Sequence, residues 1–392
     1  MIKNRMRFGL FRMNLVHALL CLVPKQKGLV LCNAWFGQKY IDNPKYVYEY
    51  LLEHSDYKVC WITKNRDIYN QLKAEGKPVE MADSFMGIIK QIRAQAVFST
   101  VQFQEYNQWV LTNTIYIDLG HGHPIKDPGK AIMEEPIISL QKNFTKNLHY
   151  YSICSSDYTK EKYRDVVNVN PDNIIVSDFA RNDVFIDEKL RIGKNEMVDK
   201  LKNGRKAIVY MPTHRSDGRV KLDMSNILPL DAIQSFCEQY NYVFLIKKHF
   251  YHRNETEDLS LYSNIFDITS EPDLDPQVLL YQADVLISDY SACYIDFLLL
   301  DRPLMFYQFD LEEYQIKERS IYIPFESLDI APISNSREDF IEKLTMACSA
   351  EDSYKDKRKA FTPHYFKNVN QNNGRQKVKE ILDTLMNKYY SL

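Results

Sequence analysis

Ala283-Asp284-Val285-Leu286-Ile287-Ser288-Asp289-Tyr290-Ser291-Ala292-Cys293 is an apolar run that stops abruptly in acidic, aromatic and hydroxyl residues. Val285 to Ile287 reads as a short strand buried on both faces, and Tyr294 to Leu300 has the apolar content of a packed helix. Together they form a strand-turn-helix corner. In an open parallel sheet ligands gather where strands end and helices begin, because unpaired N–H groups and the positive helix terminus favour anions there. Ser291 is placed to offer an N–H and a hydroxyl. Taken alone, the corner is an ordinary helix cap on a core strand.

Three further segments change that reading: Leu119-Gly120-His121-Gly122-His123-Pro124-Ile125-Lys126, Tyr210-Met211-Pro212-Thr213-His214-Arg215-Ser216-Asp217-Gly218 and Leu245-Ile246-Lys247-Lys248-His249. Each follows an apolar strand-like run (Thr114 to Leu119, Ala207 to Met211, Tyr242 to Ile246) and puts His, Lys, Arg or Thr where the run ends. Four polar strand ends imply one shared cleft. Short apolar strands alternate with helical segments almost throughout, which argues for an α/β protein with parallel sheets. A first series includes Gly28 to Cys32, Tyr57 to Ile62, Ala94 to Val101, Thr114 to Leu119 and Tyr150 to Ser155, and a second begins at Arg205. Asp187 to Asn203 is charged and helix-like and ends in Asn203-Gly204, which places a domain junction within 186–204.

At these residues the chain resembles the CDP-glycerol:poly(glycerophosphate) glycerophosphotransferases, which build teichoic acids and related capsule polymers from CDP-activated polyols. The resemblance rests on His121-Gly122-His123-Pro124-Ile125-Lys126, Pro212-Thr213-His214-Arg215, Lys247-Lys248-His249 and Ser288-Asp289-Tyr290-Ser291-Ala292, in that order. It extends to Asp42-Asn43-Pro44-Lys45-Tyr46, Ala180-Arg181-Asn182-Asp183, and Arg302-Pro303-Leu304-Met305-Phe306-Tyr307 with Asp310 and Tyr314. Three departures bear on which polyol and acceptor are used: Leu119-Gly120 replaces the usual Trp, His123 a Thr, and His214 an aromatic residue. The resemblance implies two doubly wound, Rossmann-like domains facing each other across a cleft, the glycosyltransferase-B type. The boundaries drawn are a basic N-terminal segment 1–27, an acceptor-side domain 28–190, a CDP-polyol-binding domain 191–370, and a C-terminal helix 371–392 crossing back to the first domain.

It further implies transfer of glycerol phosphate, or another polyol phosphate such as ribitol phosphate, from a CDP donor to a hydroxyl of a teichoic acid or capsule acceptor, lipid-linked or polysaccharide, with release of CMP. Such chemistry needs a base and several cations. A histidine can take the hydroxyl proton at neutral pH, and the resemblance puts His121 in that role, with Gly120 and Gly122 letting backbone approach the substrate. His249 is the second catalytic candidate. Lys247 lies on the same face of an extended segment as His249, with Lys248 on the other. Arg215 offers a planar fork and Thr213 a hydroxyl to phosphate oxygens. Gly122, Lys126, Lys247, Asp289, Ser291 and Ala292 complete the substrate set, with Ser291 and the following N–H groups as the pyrophosphate cradle. Asp289 lacks the second carboxylate of a magnesium site, so it holds the corner or orients a His. Arg181, Asn182 and Asp183 form a hydrogen-bond network at the domain junction. His252 and Arg253 touch phosphate or face water. No cofactor is required, no metal site is assigned, and the reaction is metal-independent or weakly metal-assisted.

Composition sets the outer limits. The 392 residues, 45% hydrophobic and 26% charged, suffice for two cores. A net charge of -2 gives nucleic-acid binding no support. Seven Cys, an odd number without a Cys-x-x-Cys pair, indicate neither a disulfide framework nor a zinc site and fit a reducing cytoplasm. Lys3, Arg5, Arg7, Arg12, Lys25 and Lys27 surround the run Leu15 to Val23, which is too short to span a bilayer and is interrupted by His17. It reads either as a basic helix lying on the anionic inner membrane surface or as a core-packing helix with a solvated end. Two other functions fit the pattern: a nucleotide-sugar glycosyltransferase on the same fold, and a non-catalytic binding subunit of a polymer-assembly complex.

Overall fold

Strands buried on both faces read as continuous apolar runs, and the computed structural model arranges these runs as two all-parallel sheets. It describes residues 12, 14–101, 105–126, 146–167, 170–215, 219–249, 252, 254–271, 274–318, 320–369 and 373–390. Lys3, Arg5 and Arg7, the Ser216-Asp217-Gly218 turn, Arg253 and residues 371 and 372 lie outside the described residues. The chain divides into two compact units: one holds the described residues up to His121, those from 146 to Asp183 and those from Phe366 onward; the other holds Gly122 to Lys126 and Val184 to Tyr365.

In the first unit β1 (Leu29–Cys32), β2 (Lys58–Thr63), β3 (Val79–Met81), β4 (Ala96–Ser99), β5 (Ile115–Asp118), β6 (His149–Cys154) and β7 (Ile174–Val176) stand in the order β3-β2-β1-β4-β5-β6-β7. In the second, β8 (Lys206–Met211), β9 (Tyr242–Ile246), β10 (Ile265–Asp267), β11 (Val285–Ser288), β12 (Leu304–Tyr307) and β13 (Ile333–Ser334) stand in the order β10-β9-β8-β11-β12-β13. Strand order therefore reverses between β1 and β4 in one unit and between β8 and β11 in the other. Crevices open at the carboxyl ends of strands at such reversals. β1, β4, β5, β9, β11 and β12 are buried along their whole length. Each fully buried Leu, Ile or Val contributes about 1.5–3 kcal/mol, so the strands that carry the site are also the strands that hold the core.

The chain crosses between units at Asp183–Val184, ahead of the expected 186–204 junction. Asp183 accepts from Gly374 N at 2.7 Å, Arg375 N at 3.0 Å and Arg375 Nε at 2.9 Å, which ties it to the tail. The tail rejoins the first unit from Phe366, and its helix Gly374–Tyr390 packs on helix Asp42–His54. Asp187 to Asn203 is not one helix: a short 3-10 turn, Glu188–Leu190, precedes helix Glu196–Lys202, and Gly193 and Asn195 at positive φ break the run.

Residues 14–20 are helical. His17, the polar interruption, is buried: its Nε2 lies 2.7 Å from Gln108 O, and Asn147 Nδ2 donates to its Nδ1 at 2.9 Å. Lys25 Nζ donates to Ile92 O at 2.7 Å and Thr114 Oγ1 at 3.0 Å, and burial pulls its pKa down to about 8. Leu15, Leu19 and Leu22 nonetheless remain 58%, 62% and 81% exposed, so the segment is docked and still presents apolar side chains to solvent. Among the described residues no helix is long and apolar enough to cross a membrane.

Candidate functional site

The sequence-assigned residues fall into two sets. Gly122, Lys126, Thr213, Arg215, Lys247, His249, Asp289, Ser291 and Ala292 belong to the second unit, and His121, Arg181, Asn182 and Asp183 to the first.

In the second unit the ends of β8 and β11 flank the order reversal and are joined by Asp289. This fully buried carboxylate accepts from Thr213 N at 2.9 and 3.0 Å, Thr213 Oγ1 at 2.7 Å, Tyr290 N, and Arg215 Nη2 at 3.1 Å. Asp289 thus holds the corner, one of the roles read for it from sequence, with its oxygens engaged by donors of its own chain. The Arg215 fork is likewise engaged within its own chain. Its Nε and Nη2 donate to Asp310 at 2.8 and 3.0 Å, Nη1 donates to Thr213 O at 2.5 Å, and its guanidinium lies 4.8 Å from the Tyr314 ring centre and 5.1 Å from that of Tyr290. Burial disfavours the charge, yet the carboxylates of Asp289 and Asp310 outweigh it and raise the pKa. The fork meets carboxylates where phosphate oxygens were expected, and Thr213 directs its hydroxyl to Asp289. Ser291 is half-buried, with Oγ accepting from Cys293 N at 3.4 Å. The helix that follows, Cys293–Leu298, is six residues long and leaves little dipole for an anion cradle.

Cationic and imidazole groups gather beside this corner. Lys247 and His249 are half-buried while Lys248, on the opposite face, is buried against Glu257 and Asp267, each at 3.1 Å. Lys247 Nζ donates to Thr269 O at 3.1 Å. The rings of His249 and His214 are 4.7 Å apart. Burial, followed by the fields of His214, His252, Lys247 and Lys126, pushes the His249 pKa down to about 3. His249 is therefore neutral in the free protein, among groups that favour an anion. Lys126 donates to Tyr314 Oη at 2.7 Å, and Tyr322 N donates to Ile125 O at 3.0 Å, which fastens the segment after His121 to this unit. His123, at the Thr position of the resemblance, is buried with Nε2 3.1 Å from Asp296 Oδ1. A Cβ on Gly122 would stand at an ordinary 3.9 Å from Ala292 Cβ.

His121 belongs to the first unit and is exposed. Its Nδ1 lies 3.0 Å from Thr100 O, and a carbonyl only accepts, so Nδ1 carries the hydrogen and Nε2 the lone pair. The Trp35 ring meets it edge-on at 5.2 Å. Arg181 Nη1 donates to His121 O at 2.7 Å and Asp42 Oδ1 at 2.9 Å, and Asn43 Nδ2 donates to Leu119 O and Gly120 O, each at 3.1 Å. Gly120 has φ +64, and a Cβ there would sit 2.6 Å from Tyr163 Oη. Trp35, Thr100 and Glu105 went unassigned from sequence. Their only signal is position after β1 and β4, the strands at the order reversal. Among the described residues no group of three or more His, Cys, Asp or Glu is placed to hold a metal ion.

Doubly wound parallel sheets whose strand ends gather imidazoles and ammonium groups define an α/β transferase fold suited to anionic substrates. The sequence profile of the CDP-glycerol:poly(glycerophosphate) glycerophosphotransferases matches residues 15–383. The chain belongs to that family and is a transferase. It is 25% identical over 360 residues to a teichoic acid glycerol-phosphate transferase of Staphylococcus aureus, covering 86% of this chain and 88% of the relative. To a teichoic acid poly(glycerol phosphate) polymerase of Bacillus spizizenii it is 26% identical over 364 residues, covering 84% and 86%. The structure of the wall teichoic acid polymerase TagF superimposes with a TM-score of 0.74 over 99% of this chain and 97% of that one, at 23% identity, and so shares the fold.

Proposed function

We propose that the chain transfers glycerol phosphate or ribitol phosphate from its CDP conjugate to a hydroxyl of a teichoic acid or related surface-polymer acceptor. The acceptor oxygen attacks the polyol phosphorus, the bond from that phosphorus to the bridging oxygen breaks, and CMP departs with the bridging oxygen. His121 Nε2 takes the hydroxyl proton. Lys126 and Lys247 neutralise the pyrophosphate, and His249 offers it a ring N–H. Asp289, Thr213 and Arg215 are the frame that positions them rather than ligands of the donor. The observation that carries this reading is the orientation of His121, whose Nδ1–H bond to Thr100 O leaves Nε2 as the basic nitrogen. Family membership and the teichoic acid relatives support the donor and acceptor classes. Purified protein incubated with CDP-glycerol, CDP-ribitol and a panel of nucleotide sugars, with mass analysis of products, is the test. CMP release with a product heavier by one polyol phosphate is expected, and transfer of a sugar would overturn the reading. In H121A, turnover should fall about a hundredfold or more while CDP binding persists.

We place the enzyme peripherally on the inner membrane face, where a lipid-linked acceptor would be met. Support comes from the outward Leu15, Leu19 and Leu22 on a segment that also carries basic residues.

A further inference from the structure

Glu105 is buried in the first unit and appears in none of the four motif segments. Its Oε2 accepts from Thr100 N at 2.7 Å, and its Oε1 accepts from Thr100 Oγ1 at 2.5 Å and Phe36 N at 3.4 Å. Thr100 Oγ1 in turn accepts from Trp35 N at 2.9 Å. The same Thr100 presents its carbonyl to His121 Nδ1, and Trp35 lays its ring against His121 while its Nε1 donates to Asp42 Oδ2 at 3.1 Å. Asn33 Nδ2 donates to Glu105 O at 2.7 Å, which anchors the glutamate backbone to the end of β1. One carboxylate thus clamps both the peptide N–H and the hydroxyl of the residue whose carbonyl orients the imidazole.

A buried carboxylate is costly unless its bonds repay the lost hydration. Burial pushes the Glu105 pKa up to about 8 against the opposing pull of its Thr100 hydrogen bonds. An amide would fill the same space without the cost of burying an ionisable group, so packing alone does not account for a carboxyl group there. What distinguishes the carboxylate, the form populated as pH rises through about 8, is its capacity to accept all three donors at once, which holds the Thr100 peptide plane in one orientation. Trp35 and Phe36 stand at positive φ beside it, a turn that keeps the Phe36 N–H and the Trp35 ring in place.

We propose that Glu105 is a positioning residue for the transfer reaction, setting the tautomer and direction of His121 through Thr100. The proposal deepens the assignment of His121 as base and rests on it. E105Q preserves size but sets an amide N–H₂ against the donors Phe36 N–H and Thr100 O–H. T100V preserves the carbonyl and the shape but removes the clamped hydroxyl. In each, kcat should fall about tenfold with KM for CDP-glycerol within about twofold, since the donor is not touched. The ¹⁵N spectrum of His121, recorded in the neutral form, should shift from Nδ1–H toward a mixture of tautomers. A folded variant with an unchanged His121 tautomer, or with unchanged kcat, overturns the proposal. Should E105Q not fold, T100V decides by the same two readouts. Wild-type turnover in H121A would sink the base assignment instead, and the ¹⁵N shift in E105Q would still report that Glu105 orients the ring.

Discussion

Arg215 carries a fork that suits phosphate and is engaged by two carboxylates of its own chain. Its guanidinium is 7% exposed and pairs with Asp289 and Asp310, whose side chains are 0% and 17% exposed. Removing one partner of such a buried pair strands the others, so R215A should lose about 3–5 kcal/mol of stability. Urea melting of the full chain is the check: a loss under about 1 kcal/mol, with CDP affinity alone reduced, would restore the phosphate-fork reading. His249 makes the opposite case, a residue whose state the substrate should change. Burial first and neighbouring cations second hold its pKa near 3. A pyrophosphate among Lys247, Lys126 and His214 reverses the field, so the pKa should rise by about 1–3 units when CDP binds. Between the free and the raised pKa, binding should take up a proton; above the raised value or below about 3, none. NMR titration of the His249 ring with and without CDP measures this, and an unmoved pKa would place the pyrophosphate elsewhere.

At the scale of elements, the N-terminal segment is legible as basic and apolar but open to two readings, and the fold bears out the docked helix while its exposed leucines motivate a test of the other. His17 and Lys25 fasten it to the first unit, so cutting at residue 27 would remove structural contacts along with any membrane contact. The informative variant is L15S/L19S/L22S, which alters only exposed side chains. It should melt within a few degrees of the parent and lose binding to anionic vesicles in co-sedimentation, with the parent's binding weakened by salt. Retained binding would locate the membrane contact outside these leucines. Strands were read well where they are central: the ends of β5, β8, β9 and β11 fall within a residue or two of the apolar runs that announced them. β3, β10 and β13 gave little signal, since they have three, three and two residues, β3 is half-buried throughout, and an edge strand needs no apolar run.

Over the whole molecule, the tail is secured at two buried carboxylates, Asp178, which accepts from Asn368 and Lys377, and Asp183. Asp183 takes two N–H groups at the start of helix Gly374–Tyr390 together with Arg375, and a Cβ on Gly374 would lie 2.5 Å from the Phe179 carbonyl. D183A should therefore cost about 2–4 kcal/mol and expose the tail helix to hydrogen exchange ahead of global unfolding. Exchange of that helix unchanged from the parent would mean that packing against Asp42–His54 suffices. The sequence by itself determined the α/β class, the four polar strand ends and the family, because burial on both faces writes an apolar run and the chemistry interrupts it at a fixed place. Only the tertiary structure decided which groups those residues meet. Arg215 finds Asp289 and Asp310 at separations of 74 and 95 residues, Asp183 finds the tail at 191, and Thr100 brings Glu105 to bear on a histidine 21 residues on. A local pattern records whether a side chain is buried, but any carboxylate satisfies an arginine, and the choice among them is made by which strand ends the sheet order brings side by side.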